Sequence, residues 1–197
     1  MLKKTLLCLT VLASFAVFAE NIRLPKPLRK GGVTLREALN SRRTIRNFKS
    51  EKLTTSQLSN ILWSANGVNR ENGKLTAPSA MDKRDVMIYV VLEDGSYFYD
   101  PEKHTLSPVC SGDLRAFCGR YDAPCYLVLV PDRARQVREV FAAVDTGYVS
   151  QNIYLSAVAE GLGTCAMGSI ADPSKLVEKL KLGKNRPFLV HPVGITQ

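Results

Sequence analysis

Asp145–Ser169 reads DTGYVSQNIYLSAVAEGLGTCAMGS, and the fold turns on how that stretch is interpreted. Val144, Tyr148, Gln151, Leu155, Val158 and Leu162 recur at helical spacing. They predict a long helix from about Arg133 to Leu162, with a break near Asp145–Gly147 left open, and Gly161 and Gly163 marking its end. Small residues on one face allow another helix to pack closely, as across a subunit seam. Beyond the helix, the chain delivers Gly161-Leu162-Gly163 and then Met167-Gly168-Ser169, where exposed backbone N–H groups can bond a ring nitrogen. A core helix with a glycine cap has the same local pattern, so this segment does not stand alone.

The runs around it are of the other type. VMIYVVL (86–92), CYLVLV (125–130) and the stretch Phe188–Ile195 are rich in β-formers and read as strands. Glu93-Asp94-Gly95-Ser96 predicts a hairpin into Tyr97-Phe98-Tyr99, and Thr105–Val109 predicts a further short strand. Four shorter helices fit the remainder. One is capped by Thr34 and carries Leu35, Ala38 and Leu39; a second is capped by Thr54 or Thr55 and carries Leu58, Ile61, Leu62 and Ala65 up to Gly67. A third starts at Ser111 or Asp113 and covers Leu114–Cys118; the last starts at Asp172-Pro173-Ser174. Glu20–Gly32 is an arm without periodicity, expected to be extended. Strands and helices mix without strict alternation, so the expected class is α+β, not a doubly wound sheet.

The chain has 197 residues, 45% of them hydrophobic and 23% charged, enough for one packed domain. Its first 19 residues have the composition of an export leader. Lys3 and Lys4 precede an apolar run from Leu6 to Phe18, and Val17-Phe18-Ala19 offers small residues for cleavage after Ala19. The run is short for a retained span, and Cys8 follows Leu7 where a lipoprotein signal needs a small residue. The expected layout is therefore a signal peptide at 1–19 and a single domain at 20–197, placed in the periplasm or secreted. The net charge of +9 favours anionic partners such as phosphates. The basic residues are scattered, with no stripe interleaved with aromatics, so nucleic acid is not an expected partner. Cys110, Cys118, Cys125 and Cys165 stay with the domain; their pairing is open, and free buried thiols fit equally well.

Two further segments carry chemistry. Ser41-Arg42-Arg43-Thr44-Ile45-Arg46-Asn47-Phe48 gathers three guanidinium groups and a hydroxyl at a helix end, a set suited to forked bonding of phosphate oxygens. A solvated basic helix end has the same composition. Thr76-Ala77-Pro78-Ser79-Ala80 lets backbone come close to a flat ring, although an ordinary turn would look alike.

Taken in order, the segments resemble the nitroreductase superfamily, and most closely its smaller branch with SagB-type and thiazoline/oxazoline oxidase-like members. SRRTIRNF is similar to that family's Arg-Arg-Ser/Thr-x-Arg-x-Phe motif. The piece from Leu62-Trp63 through Gly67-Val68-Asn69-Arg70 to APSA and DVMIYV is similar to a second block. YFYDPEKHTLSPVCSGDLR (97–115) and DTGYVSQNIYLSAVAEGLGT (145–164) are similar to the next two. The resemblance implies an α+β fold with a central, mostly antiparallel sheet flanked by helices. It further implies an intertwined homodimer with one FMN in each of two interface sites. On that basis Arg42, Arg43, Thr44 and Arg46 hold the FMN phosphate, ribityl chain and ring edge. Pro78, Ser79 and Ala80 line the ring from the partner subunit, and Met167, Gly168 and Ser169 face N5 with a backbone N–H. Better-known members place an acidic residue where Gly168 stands here, so the contact implied at N5 is backbone only.

The implied activity is transfer of hydride or electrons through FMN to a small conjugated acceptor, such as a nitroaromatic or quinone. The flavin carries the redox chemistry, so no catalytic side chain is named. Export separates such an enzyme from cytoplasmic NAD(P)H and leaves the electron donor unnamed. The alternative is an exported, non-catalytic flavin- or ligand-binding dimeric module. His104 and His191 are the only histidines, too few for a metal site, and His191 is expected to be a hydrogen-bonded structural residue. Trp63 reads as core, and Asp82, Arg84 and Asp85 read as a solvated turn. The sequence contains no GxSxG, and no GxGxxG follows a strand, so hydrolase and Rossmann sites have no support.

Overall fold

The computed structural model describes residues 20–197, so the expected leader lies outside the described residues. Seven strands form one sheet: β1 (Ile22–Arg23), β2 (Val86–Val91), β3 (Gly95–Asp100), β4 (Thr105–Ser111), β5 (Cys125–Pro131), β6 (Leu162–Thr164) and β7 (Leu189–Ile195). Their spatial order is β1-β4-β3-β2-β5-β7-β6, and every neighbouring pair is antiparallel. The helices are α1 (Leu35–Ser41), α2 (Thr55–Asn66), α3 (Arg115–Cys118), α4 (Glu139–Ala159) and α5 (Pro173–Lys179). The expected α+β class with an antiparallel sheet is the class observed.

Alternation along the central strands builds two cores. Ile88 and Val90 of β2, with Leu127 and Leu129 of β5, face the layer made by Leu58, Ile61, Leu62 and Ala65 of α2 and Val149, Ile153 and Ala157 of α4. Tyr89 and Val91, with Tyr126, Val128 and Val130, face the opposite layer with Leu114, Cys118 and Leu176. Both faces of β2 and β5 are thus covered, which is why these strands read as unbroken apolar runs instead of alternating ones.

Local signals place the helices well. Thr34 and Thr54 each close a capping box, with Glu37 and Gln57 respectively reaching back to the cap N–H. The Asp172 carboxylate accepts from the Lys175 amide, with Pro173 at the first position of α5. α3 departs from expectation, for neither Ser111 nor Asp113 caps it. Its cap residue is Leu114, and Asp113 instead accepts from the backbone N–H and side chain of Arg115.

Three other expectations change. The long helix is one unbroken element, but it begins at Glu139 and ends at Ala159; Leu162 belongs to β6, which pairs with β7. The buried face of α4 is Ala142, Asp145, Thr146, Val149, Ser150, Ile153, Ser156 and Ala157. The stripe that announced the helix points the other way: Val144 and Tyr148 are 46% and 45% exposed. The arm is not merely extended, because Ile22 and Arg23 join the sheet edge beside Leu106 and Thr105. It is then docked by Ser59 Oγ donating to the Pro25 carbonyl and by the Leu28 amide donating to Asn60 Oδ1.

All four described cysteines are free thiols, which answers the open pairing. Burial pushes the thiols of Cys118 and Cys125 up to about 12, so both stay protonated at ordinary pH. Among the described residues, no helix is long and apolar enough to cross a membrane.

Candidate functional site

The SRRTIRNF segment leaves α1 and is tied to the sheet edge by backbone bonds. The Ile45 amide donates to the Thr164 carbonyl of β6 at 2.9 Å, and the Lys49 amide donates to the Ile195 carbonyl of β7 at 2.9 Å. Gly163 makes this close approach possible, since a Cβ there would sit 2.6 Å from Ile45 Cγ2. Gly163 therefore serves docking of the arginine loop, whereas Gly161, at φ 67°, makes the turn between α4 and β6.

Tyr154 on α4 joins that loop to the segment after β6. Its hydroxyl lies 3.2 Å from Thr44 Oγ1 and accepts the Ala166 amide at 2.8 Å, while the Arg42 guanidinium stacks over its ring. Its ring edge also meets His191 at a centroid distance of 5.5 Å. Sequence reasoning missed Tyr154, because it lies on the border between the buried and outward faces of α4 and belongs to neither periodic stripe.

Next to this junction is a cavity of about 390 Å³ lined by Arg46, the turn Gly119-Arg120-Tyr121, and Cys165–Ala171. Four of the ten expected site residues thus share one cavity: Arg46, Met167, Gly168 and Ser169. Arg42 and Thr44 flank it through Tyr154, and Arg43 lines a neighbouring cleft with Ser41 and Tyr154. Gly119, Arg120 and Tyr121 were not anticipated, because they come from a segment with no motif of its own; Cys165 lies within the 145–169 stretch but reads there only as a thiol.

The donors in the cavity differ in availability. The Met167 amide is already spent on the Val190 carbonyl at 2.9 Å, so Met167 cannot be the residue that offers a free N–H. The Gly168 and Ser169 amides have no acceptor among the described residues, and the space around Gly168 is open to 4 Å. Arg46 and Arg120 supply positive charge, and no carboxylate lines the cavity. Unspent amides beside an open glycine suit the edge of a flat, nitrogen-bearing ring, and the guanidinium groups suit a phosphate. The residues present therefore fit FMN.

Pro78, Ser79 and Ala80 are not brought to this cavity within one chain. They lie against the other half of α4, where both Asp145 carboxylate oxygens accept the Ala80 amide at 3.0 Å and Ser79 Oγ accepts the Arg84 amide at 2.8 Å. Met81, Asp82 and Arg84 all adopt left-handed backbone, with φ of 54°, 54° and 49°. Asp85, expected in a solvated turn, is fully buried. Among the described residues, neither of its oxygens has a hydrogen-bond partner. Burial, and then contact with Asp145, push its carboxyl up to about 7.

His191 has the structural role expected of it. It is fully buried on β7, with Nε2 2.8 Å from Ser150 Oγ and Nδ1 3.1 Å from Thr164 Oγ1, and burial pushes it down to about 3. Trp63 is half-buried instead of core. Its indole N–H donates to the Val68 carbonyl, and Arg29 stacks on its ring. Among the described residues, no group of three His, Cys, Asp or Glu is arranged to hold a metal.

Comparison with known proteins fits this geometry. The nitroreductase family model matches residues 39–195, and the chain belongs to that family of oxidoreductases. A protein of Methanocaldococcus jannaschii that bears a nitroreductase name is 33% identical, with 82% of this chain and 91% of that protein covered. A crystal structure from Ralstonia eutropha, likewise named a nitroreductase, superposes with a TM-score of 0.85 at 34% identity, covering 92% of this chain and 91% of the other. An FMN-dependent nitroreductase of Clostridium difficile shares the fold, with a TM-score of 0.58 at 23% identity over 81% of this chain and 86% of its own.

Proposed function

We propose that this protein is an exported, dimeric, FMN-dependent oxidoreductase that passes hydride or electrons to a small conjugated acceptor such as a nitroaromatic or a quinone. The observation that carries the reading is the cavity in which Arg46 meets the unspent amides of Gly168 and Ser169. Arg42, Arg43, Thr44 and Arg46 would hold the phosphate, ribityl chain and ring edge. Gly168 or Ser169 would donate an N–H at N5, with Met167 shaping the wall. The C. difficile relative, which carries FMN in its name, adds support. When bound, FMN supplies a reversible two-electron carrier. The chain's own residues bind and orient it and leave one face free for the acceptor.

The outward stripe supports the dimer. Val137, Val140, Val144 and Tyr148, at or within the start of α4, are all exposed, and so are Leu35 and Leu39 on α1, which packs beside it. Exposed apolar side chains gathered on one helix face call for a protein partner, and a second copy would cover them. Pro78, Ser79 and Ala80 would then serve the partner's flavin, because they do not reach the cavity of their own chain. Export rests on the leader's own pattern, Lys3 and Lys4 before Leu6–Phe18.

The decisive assay loads the purified mature protein with FMN, reduces it with dithionite, and follows reoxidation by a quinone and by a nitroaromatic. Acceptor-dependent reoxidation well above that of free reduced FMN is expected. A loaded protein that reoxidises no faster than free FMN would leave only the alternative, a non-catalytic flavin-binding module. Arg46→Ala should weaken FMN binding about tenfold to a hundredfold, the range for losing one charge-assisted bond of about 1.5–3 kcal/mol. Unchanged binding would remove Arg46 from the site.

A further inference from the structure

The turn at Pro78–Ala80 is held by a device that neither the cavity nor the motif accounts for. Asp145 is 1% exposed, yet among the described residues its carboxylate reaches no side-chain cation; both of its oxygens accept one backbone N–H, that of Ala80, at 3.0 Å. A carboxyl group buried away from cations and set on a single backbone amide is costly to place, and that cost is offset only by holding the amide. Asp85, also buried, has its carboxyl raised by burial and by Asp145. The remaining charges nearby are committed elsewhere. Arg84 pairs with Asp82 and donates to the Gly73 carbonyl, while Arg135 donates to the Arg84 carbonyl and pairs with Asp132. Asp132, joined to Asp85 through its amide and the Asp85 carbonyl, adds negative charge and so favours retention of the proton.

Next to the clamp the backbone is costly. Three non-glycine residues between 81 and 84 hold positive φ, a conformation that persists only when its surroundings enforce it. The same turn borders the exposed stripe of α4, because Asp145 directly follows Val144. A turn held in a strained shape beside a seam has a surface to present across it.

We propose that Asp145 is a positioning residue: its carboxylate clamps the Ala80 amide and so sets the Pro78–Ala80 turn against the flavin of the partner subunit. Asp145 acts through the turn and touches no cofactor atom. This inference rests on the FMN dimer proposed above, and its test separates the two.

The first measurement is hydrogen exchange at the Ala80 amide in flavin-free protein, which reads the clamp without any cofactor. Asp145→Ala should speed exchange at Ala80 at least tenfold while Val149 and Ile153 on the same helix keep their protection. Equal exchange at Ala80 would overturn the clamp. The second measurement is FMN affinity and the flavin absorption band. Asp145→Ala should weaken FMN binding and shift the band with Arg46 intact; a lost clamp with unaltered flavin binding and spectrum would overturn the positioning role. Asp85→Asn, which leaves the Asp145–Ala80 contact in place, should match the parent in both measurements, and loss of Ala80 protection in that folded variant would overturn the assignment of the clamp to Asp145. If Asp145→Ala does not fold, Asp145→Asn gives the same readouts with a smaller loss, and no change in either would overturn the proposal. Should the parent protein bind no FMN, the function proposed above fails, and the Ala80 exchange still decides the clamp.

Discussion

Two polar side chains are fully buried beneath α4, and the fold treats them in opposite ways. His191 is bonded through both ring nitrogens, to Ser150 and Thr164, and burial holds it neutral. Among the described residues neither oxygen of Asp85 has a hydrogen-bond partner, and burial, with Asp145 beside it, pushes its carboxyl up. The satisfied group lies under the half of α4 that carries Tyr154 and the cavity, where a fixed floor is needed. The unsatisfied group lies under the half that carries the strained turn and the outward apolar stripe. A buried polar group with all its partners rigidifies its surroundings, whereas one without them marks a place where stability has been given up for position.

The largest effect should come from breaking the satisfied half. His191→Ala leaves Ser150 and Thr164 without their ring partners and opens a hole in a packed layer. A loss of about 3 kcal/mol is expected, read as a lower urea midpoint. Equal stability would mean that the histidine floor is not structural. A smaller effect should follow Tyr154→Phe, which removes the hydroxyl shared by Thr44 and Ala166 and keeps the ring. Stability should fall by about 1 kcal/mol, and FMN binding should weaken about fivefold. If only stability changed, the link from the α4 floor to the cofactor loop would be broken.

The pH dependence sharpens the contrast because the two groups have opposite sign. An unfolded chain protonates His191 below its ordinary 6.5, while the folded chain resists until about 3, so this group removes stability as pH falls through that window. The unfolded chain releases the Asp85 proton from about its ordinary 3.8, while the folded chain keeps it until about 7. Asp85 therefore removes stability as pH rises from about 4 to 7, after which the loss is constant. Asp85→Asn should raise the melting temperature most above pH 7 and little near pH 4, by about 3 °C for each kcal/mol recovered. An increase of equal size at both pH values would mean that Asp85 carries no raised carboxyl.

Much of the scaffold could be read from sequence because its signals are local. The Leu58, Ile61, Leu62 and Ala65 repeat, the Thr54–Gln57 capping box and the apolar runs of β2 and β5 each depend on neighbours a few residues away. β6 escaped because two of its signals, Gly161 and Gly163, are also those of a helix end; its strand character comes from pairing with β7. The stripe of α4 identified the helix correctly and yet points outward, because the inward face is built from Ala, Thr and Ser as much as from Val and Ile and so carries a weaker periodic signal. Asp85 looked solvated because an acid between Arg84 and a strand usually is. Its burial comes from the tertiary fold, which brings it beside Asp145, sixty residues later in the chain. In the site, Arg46 and Gly168 were legible as a motif, but that Met167 spends its amide on Val190 depends on β7 and had no local mark.

Native mass spectrometry of the mature protein tests the central claim most directly. The account predicts a dimer carrying two FMN molecules, which leave as FMN on denaturation. A monomer that takes up no FMN on reconstitution would contradict it.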